Sequence, residues 1–283
     1  MLAQFKEMVV PYFEAVAPSY FKKRWFSKID TTTWKDLKKQ KIIEAELKIV
    51  SLLVDKDSVC LDIGSHIGQY IYALQKTVNP AHIHAFEPNK RNYKRLKCFF
   101  PDTPIYNMAL SDKIGETHLS IPIIRGKAYE TRGSIENVEG EGVQGSYSLT
   151  IQTTTLEQFV IDKKLSKVDF IKIDVEGHEL KVIDGGRKVL EQYKPLLIIE
   201  IEQRHHERSM QSIFDEMKTI GYDAFFISLT EGRLLSVSEF SAEKNQHPSN
   251  AKTVRYTHNF IFVNTLKSTA FEKKINDYLA KQY

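Results

Sequence analysis

Short apolar runs alternate with amphipathic stretches along most of the chain from Val59 onward. The apolar runs are of strand length and are bounded by turn-forming residues, whereas the stretches between them repeat apolar residues at helical spacing. The predicted strands are Val59–Ile63, His82–Phe86, Pro104–Met108, Val168–Val175, Leu196–Ile201, Ala224–Leu229 and Phe260–Val263. The predicted helices are Ile67–Lys76, Lys90–Cys98, Leu156–Leu165, Glu179–Leu190 and Glu207–Ile220.

This order of elements is typical of the α/β class, in which a doubly wound, mostly parallel sheet carries helices on both faces. We expect a main domain over residues 56–268 and a helical N-terminal extension over residues 1–55. A C-terminal helix over residues 269–283 is expected to pack on the domain. Within the extension, the spacing of apolar residues predicts a helix over Lys35–Val54.

Three segments do not follow this alternation of predicted strands and helices. Ile123–Ser148 and Glu231–His258 are polar and longer than ordinary connections, so each is either a lid beside a site or a surface insertion. Met1–Ser27 combines aromatic residues with a basic cluster from Lys22 to Arg24. This last segment predicts short helices that pack on the main domain or across a homodimer. A peripheral contact with a membrane surface is the alternative.

The composition limits the class of protein further. The 283 residues are 42% hydrophobic and 27% charged with a net charge of +4, which is ordinary for a globular protein and gives no general argument for nucleic-acid binding. Cys60 and Cys98 have neither metal-ligand nor disulfide spacing, which fits a reducing compartment. No apolar run reaches the roughly 18 residues of a membrane span, and Lys6 and Glu7 interrupt the region in which a signal peptide is apolar. We therefore expect a cytoplasmic protein without a transmembrane segment.

The stretch Val59–Gly68 carries the first chemical signal. An apolar run ends at Asp62, glycines follow at positions 64 and 68, and a helical pattern begins after them. Such a turn lets the backbone approach a ligand and directs a helix N-terminus toward the ligand's polar groups. Glu87 closes the second predicted strand, where an acidic residue binds ribose hydroxyls in nucleotide-binding folds. The sequence therefore predicts a nucleotide-type cofactor at this turn.

Carboxylates gather where two later strands end. Lys172, Asp174 and Glu176 alternate with apolar residues in the fourth predicted strand, so they share one face. Glu200 and Glu202 do the same at the end of the fifth strand. Because the carboxyl ends of neighbouring strands meet at one sheet edge, these groups form a cluster that holds a cation, takes a proton or binds hydroxyls. The alternative is a set of helix caps with Lys172 as a structural counterion.

Four blocks of sequence together resemble the FkbM-type class I methyltransferases, which use S-adenosylmethionine. They are Leu-Asp-Ile-Gly at 61–64 with Gly68, Ala-Phe-Glu-Pro-Asn at 85–89, Ala-Leu-Ser-Asp at 109–112, and Asp-Phe-Ile-Lys-Ile-Asp-Val-Glu-Gly at 169–177. The resemblance covers about residues 44–202 and extends to about Val263. It implies a seven-stranded sheet whose last strand, Phe260–Val263, is antiparallel, and O-methylation of a hydroxyl on a sugar, glycan or natural product.

The resemblance implies roles for the cofactor-binding residues, and the position of the acids at the carboxyl edge of the sheet, beside the predicted cofactor, suggests roles on the acceptor side. Asp174 and Glu176 are expected on the acceptor side, with His178 as a candidate base. Mg²⁺ or Ca²⁺ is an open question, with Asp174, Glu200 and Glu202 as candidate ligands. His66 stands where the family often has Asn, and no role is assigned to it. The cofactor-binding residues are expected to be Asp62, Gly64, Gly68, Glu87, Asn107, Ala109 and Asp112.

Three other functions stay open on the sequence. A nicotinamide-dependent oxidoreductase shares the predicted strand, turn and helix, although it requires Gly-x-Gly-x-x-Gly at the turn. A nucleic-acid methyltransferase is disfavoured, because carboxylates at the sheet edge repel phosphates. A non-catalytic scaffold that keeps the fold is the third. We expect the partner to be a small-molecule or glycan acceptor and not a nucleic acid.

Overall fold

The structure, a computed structural model, describes residues 16–40, 42–124, 127–128, 133–136, 143–251 and 253–283. Residues 1–15 of the predicted segment Met1–Ser27, and residues 125–126, 129–132 and 137–142 of Ile123–Ser148, lie outside the described residues. The strands are β1 (Cys60–Ile63), β2 (Ile83–Phe86), β3 (Ile105–Tyr106), β4 (Ala109–Leu110), β5 (Gly115–Ile124), β6 (Lys127–Ala128), β7 (Val143–Thr154), β8 (Phe170–Ile173), β9 (Leu196–Glu200), β10 (Tyr222–Ser228), β11 (Arg233–Ser236) and β12 (Asn259–Asn264). The α-helices are α1 (Pro18–Thr31), α2 (Trp34–Lys39), α3 (Val50–Leu53), α4 (Gln69–Leu74), α5 (Lys90–Phe99), α6 (Leu156–Asp162), α7 (Glu179–Asp184), α8 (Arg187–Tyr193), α9 (Met210–Thr219), α10 (Ala242–Asn245) and α11 (Ser268–Leu279).

Eight strands form the main sheet in the order β11-β10-β12-β9-β8-β1-β2-β3. The pairs from β9 to β3 are parallel, whereas β12 runs antiparallel between β9 and β10. This confirms the α/β class with a doubly wound, mostly parallel sheet and an antiparallel last strand. The eighth strand, β11, pairs antiparallel with β10 at the edge and comes from the polar segment Glu231–His258.

Helices cover both faces of this sheet. Side chains from α1, α2, α4, α5 and α11 pack in one core, which includes Phe26, Leu74 and Ile275. Side chains from α6 to α9 pack in the other, which includes Phe159 and Phe214. Consecutive strand residues alternate between the two cores, as the period of a strand requires. Among the described residues, no helix is long and apolar enough to cross a membrane.

Several helices begin at polar caps that satisfy their first N–H groups. The side chain of Asn89 accepts hydrogen bonds from the N–H groups of Arg91 and Asn92 at the start of α5. Thr155 caps α6 and Ser209 caps α9 in the same way. The cap at Ser209 explains why α9 begins three residues later than the predicted helix Glu207–Ile220.

The predicted helix Lys35–Val54 is wrong as one continuous element. A capping box between Thr33 and Asp36 starts α2, which ends at Lys39 because Gln40 is extended. The chain then forms a short 3₁₀ turn, Ala45–Lys48, before α3. The break lets the Glu44 side chain reach the tyrosine hydroxyl of Tyr70 in α4. Packing against the sheet therefore overrides the helical pattern.

The predicted helix Glu179–Leu190 is also wrong as one element, because it divides into α7 and α8. The division falls at Gly185 and Gly186. A Cβ atom at Gly185 would lie 2.0 Å from the carbonyl oxygen of Ser111, and one at Gly186 would lie 2.5 Å from Leu156. The two glycines let this helical region touch the end of β4 and the start of α6. The Gly-Gly pair was a visible signal for the division.

A second sheet, in the order β4-β7-β5-β6, contains both ends of the predicted long segment Ile123–Ser148. β5 and β7 form a long antiparallel hairpin, so the prediction of a loop there is wrong at both ends. Leu119 pairs with Leu149, and these pack with Ile121 and Ile151 in a small core. Alternation of apolar residues with period two was the signal that predicts such strands.

Candidate active site

The turn after β1 brings the backbone against the end of β8. Gly64 has a φ of +85°, and a Cβ atom there would lie 1.8 Å from the carbonyl oxygen of Asp174. Gly68 has a φ of +89°, precedes α4, and a Cβ atom there would lie 2.5 Å from the ring of Phe100. The chain's own packing therefore requires both glycines. The turn also keeps open backbone at the carboxyl edge of the sheet.

Glu87 follows β2 and fixes the two neighbouring turns. Its Oε2 accepts a hydrogen bond from the N–H of His66 at 2.7 Å, and its Oε1 accepts one from the N–H of Asn89 at 2.8 Å. The side chain is buried and lies in the wall of the cavity beside the turn. This anchoring of the β1 turn to the β2 turn was not foreseen from the sequence, where only the position after a strand was visible.

An open cavity of about 850 Å³, counting the solvent at its mouth, lies at the carboxyl ends of β1, β2 and β8. The apolar part of its wall is formed by Ile63, Phe86, Met108, Leu110, Leu119, Ile135 and Val175. The polar part is formed by His66, Glu87, Asn89, Asp174, Glu176 and Glu200. The apolar lining residues suit a ring, and the polar ones suit hydroxyl or cationic groups.

Of the three later residues expected to bind the cofactor, which are Asn107, Ala109 and Asp112, Ala109 lines this cavity. Asn107 lies outside the lining and donates hydrogen bonds from Nδ2 to the carbonyl oxygens of Glu87 and Pro88, each at 2.9 Å. Asp112 also lies outside the lining and pairs with Lys181 at 3.1 Å. The structure therefore gives Asn107 and Asp112 contacts within the chain itself.

Asp62 lies beneath the glycine turn, in register with Lys172 of β8. The side chain is 2% exposed, and its Oδ2 has no hydrogen-bond partner among the described residues. Burial, opposed in part by the Ser65 hydroxyl and by Lys172, raises the pKa of Asp62 to about 7. A buried acceptor without a partner is costly, and Asp62 itself lies outside the lining of the cavity.

The ammonium group of Lys172 lies among the carboxylates of the site. Its side chain is 1% exposed, and its Nζ donates a hydrogen bond to Oδ1 of Asn259 at 2.8 Å. The same Nζ lies 3.6 Å from Asp174 and 4.0 Å from Glu44. Burial alone would lower the pKa of Lys172, but the carboxylates of Asp174, Glu44 and Glu200 outweigh burial and raise it. The ammonium group therefore remains charged inside the protein.

β8 ends at Ile173, so Asp174 and Glu176 lie in the loop after it and not within the predicted strand Val168–Val175. Glu176 has a φ of +51°, which takes it out of the strand's alternation. Burial, followed by the charge of Glu200, raises the pKa of Asp174 well above its usual range. Burial and then the same charge raise the pKa of Glu176 to about 8. Both carboxyl groups nevertheless meet at the cavity.

Of the three residues named as metal candidates, Asp174 and Glu200 lie together and Glu202 lies apart. Glu202 binds Arg204 through both carboxylate oxygens, at 2.7 and 3.1 Å, and accepts a hydrogen bond from the hydroxyl of Tyr256. Although burial opposes them, these partners lower the pKa of Glu202. Glu44 takes the place expected for Glu202: one oxygen from each of Glu44, Asp174 and Glu200 lies within 4.8 Å of the other two.

His178 precedes α7 and is 5% exposed. Its Nδ1 lies 2.6 Å from Oε1 of Glu136, and its Nε2 lies 2.9 Å from the hydroxyl oxygen of Ser111. Both ring nitrogens are therefore engaged, and the side chain lies outside the cavity lining. These contacts join the β5–β7 hairpin and the end of β4 to the loop that carries Glu176.

Two residues of the site were missed by sequence reasoning. Glu44 comes from the N-terminal extension, and its Oε2 accepts hydrogen bonds from Tyr70 at 2.8 Å and Asn259 at 2.9 Å. No motif marks it, because its partners are distant in sequence. His66 lines the cavity, and burial, with a smaller effect from Arg95, lowers its pKa to about 4. The ring of His66 is neutral because it is buried, and only the structure shows this burial.

The fold and the site define a class: α/β proteins that bind a nucleotide-type cofactor at the glycine turn after the first strand of a doubly wound sheet. Residues 62–224, more than half of the chain, match the model of the methyltransferase FkbM domain. The chain belongs to this family and is a methyltransferase that uses S-adenosylmethionine. The match confirms the resemblance found in the four sequence blocks and disfavours the oxidoreductase alternative.

Two methyltransferases of named activity are similar to this chain over most of the domain. Hexuronic acid methyltransferase AglP of Haloferax volcanii is 28% identical over 184 residues, which cover 62% of this chain and 70% of AglP. The 2-O-methyltransferase NoeI of Sinorhizobium fredii is 26% identical over 205 residues, which cover 68% of this chain and 84% of NoeI. The crystal structure of methyltransferase FkbM from Methylobacillus flagellatus aligns with a TM-score of 0.46 and 14% identity, over 74% of this chain and 44% of that chain.

Proposed function

We propose that the protein transfers a methyl group from S-adenosylmethionine to a hydroxyl group of a sugar, either free or within a glycan or natural product. The observation that carries this proposal is the meeting of Asp174 and Glu176 with the turn around Gly64 at one cavity. The relatives named for hexuronic acid and for 2-O-methylation support the choice of acceptor.

The residues present fit the cofactor. Gly64 exposes backbone at the turn, and the rigidly held carboxylate of Glu87 is placed to accept hydrogen bonds from ribose hydroxyls. The apolar wall that includes Phe86 and Leu110 suits an adenine ring. The unpartnered oxygen of Asp62 suits a charged amino group. When bound, S-adenosylmethionine supplies an electrophilic methyl carbon on a sulfonium sulfur.

The protein's part in the reaction is to hold the acceptor hydroxyl and take its proton. The acceptor oxygen forms a bond to the methyl carbon as the carbon–sulfur bond breaks and leaves its electrons on sulfur. Glu176 takes the proton, because its carboxylate has no partner among the described residues and its pKa of about 8 lies near neutrality. Asp174, anchored by Lys172, accepts a hydrogen bond from the same hydroxyl or its neighbour.

His178 acts in this proposal as a positioning residue and not as the base. Its Nδ1 and Nε2 are both engaged, by Glu136 and Ser111. It follows Glu176 by two positions, so its contacts hold the loop on which the carboxylate is carried.

The proposal uses no metal ion, because the chain supplies its own cation. The ammonium of Lys172 already lies against Asp174 and Glu44, two of the three carboxylates that approach one another. A divalent ion placed there would be repelled by this charge. Turnover is therefore expected to survive thorough chelation with EDTA, and loss of turnover that Mg²⁺ or Ca²⁺ restores would contradict this part of the proposal.

Two experiments test the proposed function: the first measures cofactor binding and the second identifies the acceptor. Calorimetric titration is expected to show binding of S-adenosylhomocysteine and none of NADH. Transfer of labelled methyl to a panel of neutral sugars, hexuronic acids and oligosaccharides is then measured, and mass spectrometry locates the methyl group on a sugar oxygen. Failure to bind S-adenosylhomocysteine would favour a non-catalytic scaffold. Methylation of RNA or DNA with no transfer to any sugar would overturn the acceptor class.

A further inference from the structure

The helices α1 and α5 concentrate positive charge on one side of the molecule. α1 carries four basic residues, Lys22, Lys23, Arg24 and Lys28, and α5 carries five, Lys90, Arg91, Lys94, Arg95 and Lys97. The two helices contain one carboxylate, Asp30, which is paired with Lys76. Their combined charge of +8 exceeds the +4 of the whole chain, so the remainder of the protein is net acidic. The charge distribution is strongly polarised.

These two helices lie together, so their charges form one surface. Phe26 of α1 is fully buried and packs against the rings of Phe99 and Phe100 at the end of α5. The guanidinium of Arg95 lies 5.2 Å from the centre of the Trp25 ring, which joins the outer sides of the helices. We call the outer side of α1 and α5 the basic face.

Exposed residues on α1 add apolar and aromatic groups to the basic face. Val16, just before α1, is 63% exposed, Tyr20 is 62% exposed and Trp25 is 38% exposed. Val16, Tyr20, Arg24 and Lys28 are four positions apart, so they follow one stripe of the helix. On α5, the exposed Lys90, Lys94 and Lys97 form a second stripe.

We infer that the basic face docks the protein on the surface of an anionic phospholipid membrane. Each lysine or arginine near such a surface adds to the electrostatic attraction, and aromatic rings with a polar edge favour the interface between headgroups and acyl chains. A nucleic acid would match the charge, but the exposed Tyr20, Trp25 and Val16 are better suited to a lipid interface than to a phosphate backbone. The inference does not depend on the identity of the methyl acceptor.

The experiment uses the full chain with vesicles of phosphatidylcholine alone or mixed with phosphatidylserine. Co-sedimentation is expected with the mixed vesicles, and it should weaken as salt is raised. The chain has two tryptophans, Trp25 and Trp34, and Trp34 is 3% exposed. A blue shift of tryptophan emission on vesicle addition therefore reports on Trp25. Absence of binding, or equal binding to both kinds of vesicle, overturns the inference.

Charge reversal locates the surface. The double variant Lys94→Glu/Lys97→Glu is expected to weaken vesicle partitioning at least about tenfold. The matched control, Lys188→Glu/Lys218→Glu, makes the same change in net charge on α8 and α9, which cover the opposite face of the sheet. Equal weakening by both variants would mean that overall charge, and not the basic face, determines binding. Circular dichroism checks that both variants are folded.

A second variant separates a membrane from a nucleic acid. Tyr20→Ser removes an exposed ring without changing the charge. It is expected to weaken binding to phosphatidylserine vesicles and to leave any weak binding to a short DNA duplex unchanged. Binding to the duplex that exceeds vesicle binding at the same salt concentration would assign the basic face to nucleic acid and overturn the inference.

Discussion

Glu176 and Glu202 lie at the same edge of the sheet, and each follows an apolar strand, yet their surroundings are opposite. Glu202 is held by Arg204 and Tyr256, and these partners lower its pKa despite burial. The Glu176 carboxylate has no hydrogen bond or ion pair with any described residue, and burial raises its pKa to about 8. A carboxylate that is satisfied within the chain stabilises the fold, whereas one that is not satisfied is available for chemistry.

Asp174 occupies an intermediate position in this comparison. It lines the cavity, as Glu176 does, but it also lies 3.6 Å from the buried ammonium of Lys172. The carboxylates of the site therefore differ mainly in how much positive charge the fold has placed beside them.

Removing the positive charge of Lys172 should have the largest effect, and this effect is on stability. Lys172→Met leaves Asp174 and Glu44 without their buried counterion, so we expect the free energy of unfolding to fall by about 3–5 kcal/mol. Urea unfolding followed by circular dichroism measures this change. The control Lys188→Met, at a side chain that is 83% exposed, should change it by less than about 0.5 kcal/mol. A similar small change for Lys172→Met would show that the carboxylates do not need this ammonium.

The next largest effect is a loss of turnover that we expect at Glu176 and not at a surface glutamate. Glu176→Gln keeps the shape of the side chain but cannot take a proton, so kcat should fall by about 100-fold or more. Affinity for S-adenosylhomocysteine, measured by calorimetry, should remain close to that of the wild type. Glu191→Gln, at an exposed position on α8, is the matched control and should keep full turnover. Full turnover of Glu176→Gln would exclude Glu176 as the base.

The raised pKa of Glu176 predicts opposite pH dependences for activity and stability. Because the ionised form is the base, kcat/KM should rise about tenfold per pH unit below pH 8 and level off above it. The group is more basic in the folded protein than at its unfolded pKa of about 4.3, so its contribution to stability is lost as pH rises toward 8. Unfolding of the wild type and of Glu176→Gln across this range measures the second effect. Parallel stability curves for the two proteins would contradict the raised pKa.

The smallest effect is expected at Glu202. Glu202→Gln weakens the bond to Arg204, whose side chain is 55% exposed, so we expect a loss of about 1 kcal/mol of stability. Turnover should change little, because Glu202 does not line the cavity. A loss of turnover as large as that of Glu176→Gln would show that the two acids act together.

Much of the fold could be predicted from the chain because its elements have local causes. The apolar runs predicted the strands of the main sheet other than β11, and the cap at Asn89 and the glycines after β1 are local signals. The long helix predicted over Lys35–Val54 failed because contacts from Tyr70 and Asn259 to Glu44 favour a broken path. The hairpin β5–β7 was overlooked although its alternation of apolar residues was present in the sequence.

The sequence by itself determined the class of the fold, the glycine turn and the presence of several acids at strand ends, because strand period and turn chemistry depend on neighbouring residues. It could not distinguish Glu176 from Glu202, since both are glutamates that follow apolar strands. Only the tertiary structure decided that Glu202 meets Arg204 and Tyr256, while Glu176 faces the cavity. A pKa depends on burial and on charges within a few ångströms, and these are contributed by segments distant along the chain.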